Sequence, residues 1–306
     1  MGYTLNELDL FTQTRINGLA IKSQYWVKRA SHEIWKITQG TISWVSLTEL
    51  RDYVLSRWTS LDAHKKVLGL ANSFLKYLAK IRMDIRYSNF SICLELSRSV
   101  KERKMITQRI VTLNDITSIL TYIKKSYVDG SIDEYRYQHY TAFILFGAYT
   151  GQRSMATISR LTVGQFNSAL ESEKPVILVK SSQDKIRMEH YVPIHPGIVD
   201  LLSQLCKGKA EDAPMFEYNS FWMWLKRQSI SLSQNGNHFV MGDLRKFAEQ
   251  YGDVIGWEQS NRAYILTHGV SGIDWKYYKH PLPEHVHDNY MKYWENIILN
   301  DELKSK

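Results

Sequence analysis

The chain has 306 residues, 44% of them hydrophobic, with a formal net charge of +8 and a pI near 9.2. That length and apolar content suit two domains with real cores and exclude a disordered chain, while the basic balance favours a polyanionic partner over an acidic small molecule. Two distant cysteines, Cys93 and Cys206, argue against a disulfide framework or thiolate metal site; the absence of any apolar run near the ~20 residues that span a bilayer, and of a signal-peptide pattern at Met1-Gly-Tyr-Thr, predicts a soluble, cytoplasmic protein.

The charge excess lies at the front of the chain. Residues 1–105 hold 17 Lys plus Arg against 9 Asp plus Glu, and residues 106–306 hold 22 against 22. The first hundred residues read as helices with few strand signals. Ser46-Leu-Thr-Glu49 reads as a capping box opening a helix with Leu47, Leu50, Val54 and Trp58 at helical spacing. After Thr59-Ser60, the positions Val67, Leu70, Phe74 and Leu78 form a second stripe, which leaves Lys65, Lys66, Lys76 and Lys80 for the remaining surface. A single lysine on such a face is usually just solvated. With the charge excess, residues 1–97 read as a helical DNA-binding domain in which Lys65, Lys66 and Lys76 are contact candidates.

Residues 98–111 read as a basic linker, in which Arg98, Lys101, Arg103 and Lys104 are candidate phosphate contacts and Glu102 is the one acid. A second domain, 112–306, opens with a helix start at Thr112-Leu-Asn-Asp115. Its helical pattern is interrupted by two β-rich runs, Lys174–Lys180 and Met188–Ile194, joined by a polar stretch as in a hairpin. Lys185 falls in or beside that turn. Residues 284–299 read as a helix whose Val286, Tyr290, Tyr293, Trp294, Ile297 and Ile298 are too apolar for a free tail. His280, His285 and His287, beside Glu284 and Asp288, lack the paired spacing of a zinc site, and no glycine-rich phosphate loop is present. No metal or cofactor is expected.

Five positions in this half have the chemistry to cut a phosphodiester. Arg153 in Tyr149-Thr-Gly-Gln-Arg153, read as a helix start, and Arg245 in Gly242-Asp-Leu-Arg245, inside a helical pattern with Leu244 and Phe247, can fork onto phosphate oxygens. Lys185 in Gln183-Asp-Lys-Ile-Arg187 and His268 in Leu266-Thr-His268 can donate protons. A hydroxyl of Tyr277 or Tyr278 can attack phosphorus. Arg245 and His268 are 23 residues apart, and His268 and Tyr277 are 9 apart. The bland alternatives are an arginine paired with a local carboxylate, Asp243 for Arg245, and a core histidine at 268.

In order and spacing this set resembles the tyrosine recombinases, or phage-type integrases. The segments Tyr149–Ile158, Gln183–Pro193 and Asp243–Phe247 are most similar to integrases of archaeal viruses and plasmids, and the resemblance covers roughly residues 110–290. It implies a mainly α fold, with an N-terminal helical core-binding domain and a mostly helical catalytic domain carrying a small antiparallel β-sheet. It implies a site-specific recombinase that cleaves and rejoins DNA through a 3′-phosphotyrosyl intermediate without metal or ATP, integrating or excising a virus or plasmid. The implied partners are double-stranded DNA at an attachment site and, on that DNA, a homotetramer; the implied location is the host cytoplasm, with the nucleoid. Arg153, Lys185, Arg245 and His268 are then catalytic, with Lys180 as the alternative to Lys185. Tyr277 is the nucleophile, with Tyr278 as the alternative and Tyr290 next. The terminal helix docks either on a neighbouring protomer or on its own domain. Two positions depart from the family: Gly242, usually His or Lys, and Ala156, usually acidic. His238 is a candidate to reach the phosphate in place of residue 242. A type IB topoisomerase-like strand transferase and a DNA-binding protein whose cleavage has decayed are the alternative functions.

Overall fold

The computed structural model describes residues 1–19, 21–96, 109–234, 236–268 and 281–300. The chain divides into two compact units, Met1–Ile106 and Thr107–Lys306, each with its own apolar core.

The first unit consists of α1 (Leu5–Ile16), α2 (Ile21–Thr38), α3 (Trp44–Arg57) and α4 (Leu61–Ile81), followed by short helical turns at Arg86–Asn89 and Phe90–Leu94. A reciprocal cap starts α1: the Glu7 amide donates to the Thr4 hydroxyl at 3.3 Å and the Thr4 amide to the Glu7 carboxylate at 2.7 Å. Helix α3 begins earlier than Ser46. Ser43 is its cap, and the Ser46 hydroxyl is turned back, accepting from the Ser43 amide at 3.0 Å and donating to the Thr41 carbonyl at 2.9 Å, so it does not cap Glu49. The α4 stripe Val67, Leu70, Phe74 and Leu78 is buried as its spacing requires, against Leu8, Phe11, Ile34 and Leu50 of the same core. Each such side chain contributes about 1.5–3 kcal/mol.

The second unit runs α5 (Leu113–Val128), α6 (Glu134–Thr150), α7 (Val163–Leu170), β1 (Val176–Val179), β2 (His190–Pro193), α8 (Val199–Cys206), α9 (Tyr218–Arg227), α10 (Asp243–Val254), α11 (Gln259–Ile265) and α12 (Pro283–Trp294). Thr112 and Asp115 cap α5 reciprocally, as the sequence predicts. Helix α6 is buried on every side from His139 to Thr150, as a helix apolar all round must be. Helix α10 packs on it at Gly147, where an added Cβ would lie 2.6 Å from Leu244 Cδ1. The two strands pair antiparallel from Val176 opposite Pro193 to Val179 opposite His190, forming the expected hairpin.

The terminal helix docks on its own unit and stops at Trp294 rather than Leu299. Tyr290, Trp294 and Leu299 are buried in that unit's core. The Tyr149 hydroxyl donates to the Ile297 carbonyl at 2.9 Å and accepts from the Leu299 amide at 3.0 Å, giving residues 297–299 non-helical partners. The His195 ring stacks on Tyr149 at 3.9 Å and bonds the Trp294 carbonyl at 2.9 Å. Among the described residues, no helix is long and apolar enough to cross a membrane.

Candidate active site

Helix α6 ends at Gly151, whose φ of 63° is left-handed and whose added Cβ would lie 2.8 Å from Ala248 Cβ. Only glycine combines that conformation with that approach. The next residues do not start a regular helix, contrary to the sequence reading. Gln152 Nε2 is tied to the Ile265 carbonyl at 2.7 Å and the Ser154 hydroxyl to the Met241 carbonyl at 3.0 Å. Those ties pull the chain off a helical path, and residues 154–157 form a turn in which the Thr157 and Ile158 amides both bond the Arg153 carbonyl, at 2.8 and 3.1 Å. Arg153 Nη1 donates to Asp184 Oδ1 at 2.9 Å and to the Thr267 hydroxyl at 2.6 Å.

Arg245 sits in the first turn of α10. Asp243 does not neutralise it: two residues along a helix point to different sides, and Asp243 instead binds Arg109 at 2.8 and 2.6 Å and accepts from the Val240 amide at 2.8 Å. Arg109 also donates to the His238 carbonyl at 2.6 Å. Arg245 donates to two neutral carbonyls, Gly151 at 3.1 Å and Leu266. Burial, and next the positive charge of Arg153, push Arg245 down to about 10 against the opposing pull of Glu249 and Asp184. Arg153 is thus neutralised by Asp184, while Arg245 is a half-buried cation held by neutral carbonyls beside a second guanidinium, an arrangement chemically able to take up an anion.

Helix α11 closes with the Thr267 amide on the Tyr264 carbonyl at 3.0 Å and the His268 amide on the Ala263 carbonyl at 2.9 Å, the pairing that usually places glycine at the penultimate position. Here that residue is Thr267 with φ 50°, a left-handed β-branched residue costing roughly 1–2 kcal/mol. Its buried hydroxyl holds Arg153 and lies 3.4 Å from Asp184 Oδ1. His268 follows directly, exposed, with Nδ1 3.2 Å from Glu249 Oε1. It is therefore not a core histidine. Glu249 lies one turn after Arg245 on α10.

Lys185 is exposed on the loop between β1 and β2, immediately after the fully buried carboxylate of Asp184. Lys180 is also exposed, but it adjoins Gln183, whose Oε1 accepts the Lys180 amide at 3.0 Å, and not the carboxylate that holds Arg153. Beneath the arginines, burial holds His190 below its usual pKa range; its Nε2 lies 3.2 Å from Gln152 Oε1. Arg153, Arg245 and His268 are thus joined through Asp184, Thr267, Glu249 and the carbonyls of Gly151 and Leu266. The sequence reading assigned no role to Asp184, Thr267 or Glu249. Asp184 does stand inside the quoted motif Gln183-Asp-Lys-Ile-Arg187, and Glu249 stands at helical spacing from Arg245.

Gly242 precedes α10 with φ −68°, and an added Cβ there meets nothing within 4 Å, so the backbone does not demand glycine at 242. Ala156 is half-buried and His238 is exposed. Tyr277, Tyr278, His280, Arg98, Lys101, Arg103 and Lys104 lie outside the described residues. Tyr290 cannot serve as nucleophile. It is fully buried, its hydroxyl donates to the Tyr149 carbonyl at 3.1 Å, and burial raises it well above the usual tyrosine pKa. In the first unit, Lys65, Lys66 and Lys76 are exposed along α4. Lys66 pairs with Asp62 at 2.5 Å and lies 5.3 Å from the Trp26 ring centre, over which Arg29 also sits at 5.7 Å. Among the described residues, no three His, Cys, Asp or Glu side chains gather as a metal-holding group.

The chain is similar to solved structures of tyrosine recombinases. With the Tn1549 transposon integrase in complex with transposon right end DNA it has a TM-score of 0.62 at 12% identity, over 93% of this chain and 98% of that one. With a lambda integrase tetramer bound to a Holliday junction the TM-score is 0.52 at 12% identity, over 90% of this chain and 79% of that one. No protein-family model and no curated protein matches the chain in sequence. At such identities the likeness shows the fold: mostly helical, with a small antiparallel sheet, as in the integrase catalytic fold.

Proposed function

We propose that this chain is a site-specific DNA recombinase that cleaves and rejoins strands through a 3′-phosphotyrosyl intermediate. The observation that carries the reading is Arg245, a half-buried cation whose hydrogen-bond partners among the described residues are neutral carbonyls, brought together with Arg153 beside His268 and the Lys185 loop. Phosphoryl transfer asks a protein chiefly for positioning and positive charge around phosphorus. In this mechanism the two arginines and His268 hold the non-bridging oxygens. The hydroxyl of Tyr277 or Tyr278 attacks, releasing its proton to solvent; the phosphorus–tyrosine bond forms as the bond to the 5′ oxygen breaks, and Lys185 protonates that oxygen. One ester replaces another, so religation needs no ATP. The first unit, with its lysines and the Trp26 cluster, grips duplex DNA at an attachment site.

The motif resemblance supports integration or excision of a virus or plasmid as the use, of the kind found in archaea, and the likeness to an integrase tetramer supports assembly of four copies on paired sites. The test offers a randomised pool of nicked duplexes to the protein in a chelator and looks for a denaturation-resistant adduct. An adduct followed by exchange between two labelled duplexes is expected. Relaxation of a supercoiled plasmid carrying the selected sequence, with no exchange between the duplexes, would favour the topoisomerase alternative, and duplex binding with no adduct would make the chain a DNA-binding protein whose cleavage has decayed.

A further inference from the structure

We propose that Asp184 is a positioning residue for strand cleavage, one carboxylate that fixes Arg153 and the Lys185 loop in a single geometry; this rests on the recombinase reading above. Asp184 stands on an exposed loop, flanked by exposed Lys185 and Ile186, yet its own side chain is fully buried. Burial of a carboxylate persists only where donors converge on it, and among the described residues Arg153, Thr267, Ile186 and Met188 do. Oδ1 accepts from Arg153 Nη1 at 2.9 Å and from the Thr267 hydroxyl at 3.4 Å. Oδ2 accepts from the amides of Ile186 at 3.0 Å and Met188 at 3.4 Å.

The two oxygens have different tasks. Oδ2 folds residues 184–188 around itself, which sets where Lys185 leaves the backbone. Oδ1 grips the arginine and the residue before His268. Segments around 153, 184 and 267, remote in sequence, thus meet on one side chain. Arg153 spends Nη1 on this grip, while its Nε and Nη2 make no hydrogen bond to any described residue, leaving that edge for phosphate oxygens. Ala156 offers Arg153 no carboxylate from its own turn, so the hairpin loop supplies it. Asp184 touches no reacting atom in this scheme; it acts through Arg153 and Lys185.

The experiment measures single-turnover adduct formation and duplex affinity, on a nicked duplex selected from the randomised pool, for the wild type, Asp184→Asn, Arg153→Ala and the double variant. Asp184→Asn keeps the shape but loses the charge and one acceptor. Its adduct rate should fall about 100-fold with affinity within about threefold of wild type, and the double variant should lose less than the product of the two single losses, because the part of the Asp184 effect that runs through Arg153 is already gone while the part that runs through the Lys185 loop remains. Should Asp184→Asn not fold, Thr267→Val removes one donor to the same cluster and should slow the adduct by about tenfold. An Asp184→Asn rate within threefold of wild type, losses that multiply in the double variant, or an unchanged rate in Thr267→Val overturns the proposal. A wild type that forms no adduct overturns the recombinase reading, and this assignment with it.

Discussion

Arg153→Ala should cost the second unit far more stability than Arg245→Met, although both arginines face one site. Asp184 is fully buried against Arg153 at 2.9 Å, and stripping a buried carboxylate of its counter-charge costs about 3–5 kcal/mol. Among the described residues, Arg245 has only the carbonyls of Gly151 and Leu266 as hydrogen-bond partners. Its displacement down to about 10 by burial and by Arg153 corresponds to roughly 3 kcal/mol of unfavourable charge burial. Methionine relieves that burden while forfeiting hydrogen bonds worth about as much. The net change should stay within about 2 kcal/mol. At about 2–4 °C per kcal/mol for a unit of this size, Arg153→Ala should lower Tm by roughly 6–20 °C and Arg245→Met by no more than about 8 °C. Adding Asp184→Ala to Arg153→Ala should restore most of the loss, since no charge is then left buried alone. Circular dichroism melts and urea titrations at neutral pH read all four proteins. Equal losses for the two arginine variants, or no recovery in the double variant, would refute this reading of the cluster.

Three further outcomes are expected. Burial pushes His139 down to about 4 from 6.5, with its Nε2 accepting the Glu217 amide at 2.8 Å; the unfolded imidazole protonates first, so stability is full above pH ~6.5 and falls by roughly 3 kcal/mol as pH drops toward ~4. His139→Gln, which keeps an acceptor, should flatten that acid limb in urea titrations, where His190 and His195 act in the same direction. Tyr149→Phe leaves the buried Leu299 amide without its partner and should cost about 1–3 kcal/mol, seen as faster hydrogen exchange at 297–299 while α6 stays protected. Lys185→Ala should slow adduct formation by about 10²–10⁴ on an ordinary nicked duplex, yet by less than about tenfold where sulfur replaces the scissile 5′ oxygen, because a thiolate leaves without a proton; Lys180→Ala should be near wild type on both.

What was legible in the sequence follows from how local each signal is. The α4 stripe, the Thr112 cap and the strand runs around Lys185 are written in neighbouring residues, and the structure has them in place. The start of α3 was missed because Ser43 and Ser46 cap each other and leave Glu49 unused. The spacing of Arg153, Arg245 and His268 marked the residues the fold brings together. Their partners were not readable, because Arg153 reaches Asp184 across 31 positions and Thr267 across 114. Sequence adjacency proposed Asp243 for Arg245, whereas helix geometry turned it toward Arg109. The terminal helix was recognised by its apolar face, but its end at Trp294 depends on Tyr149, a residue about 150 positions earlier.

The most direct test of the account is to trap the protein on a nicked duplex in a chelator, digest the adduct, and identify by mass spectrometry the residue that carries the nucleotide. The account predicts a 3′-phosphotyrosyl bond at Tyr277 or Tyr278, with the other tyrosine replaceable by Phe. An adduct on any other residue, or none at all in a protein that binds the duplex, would contradict it.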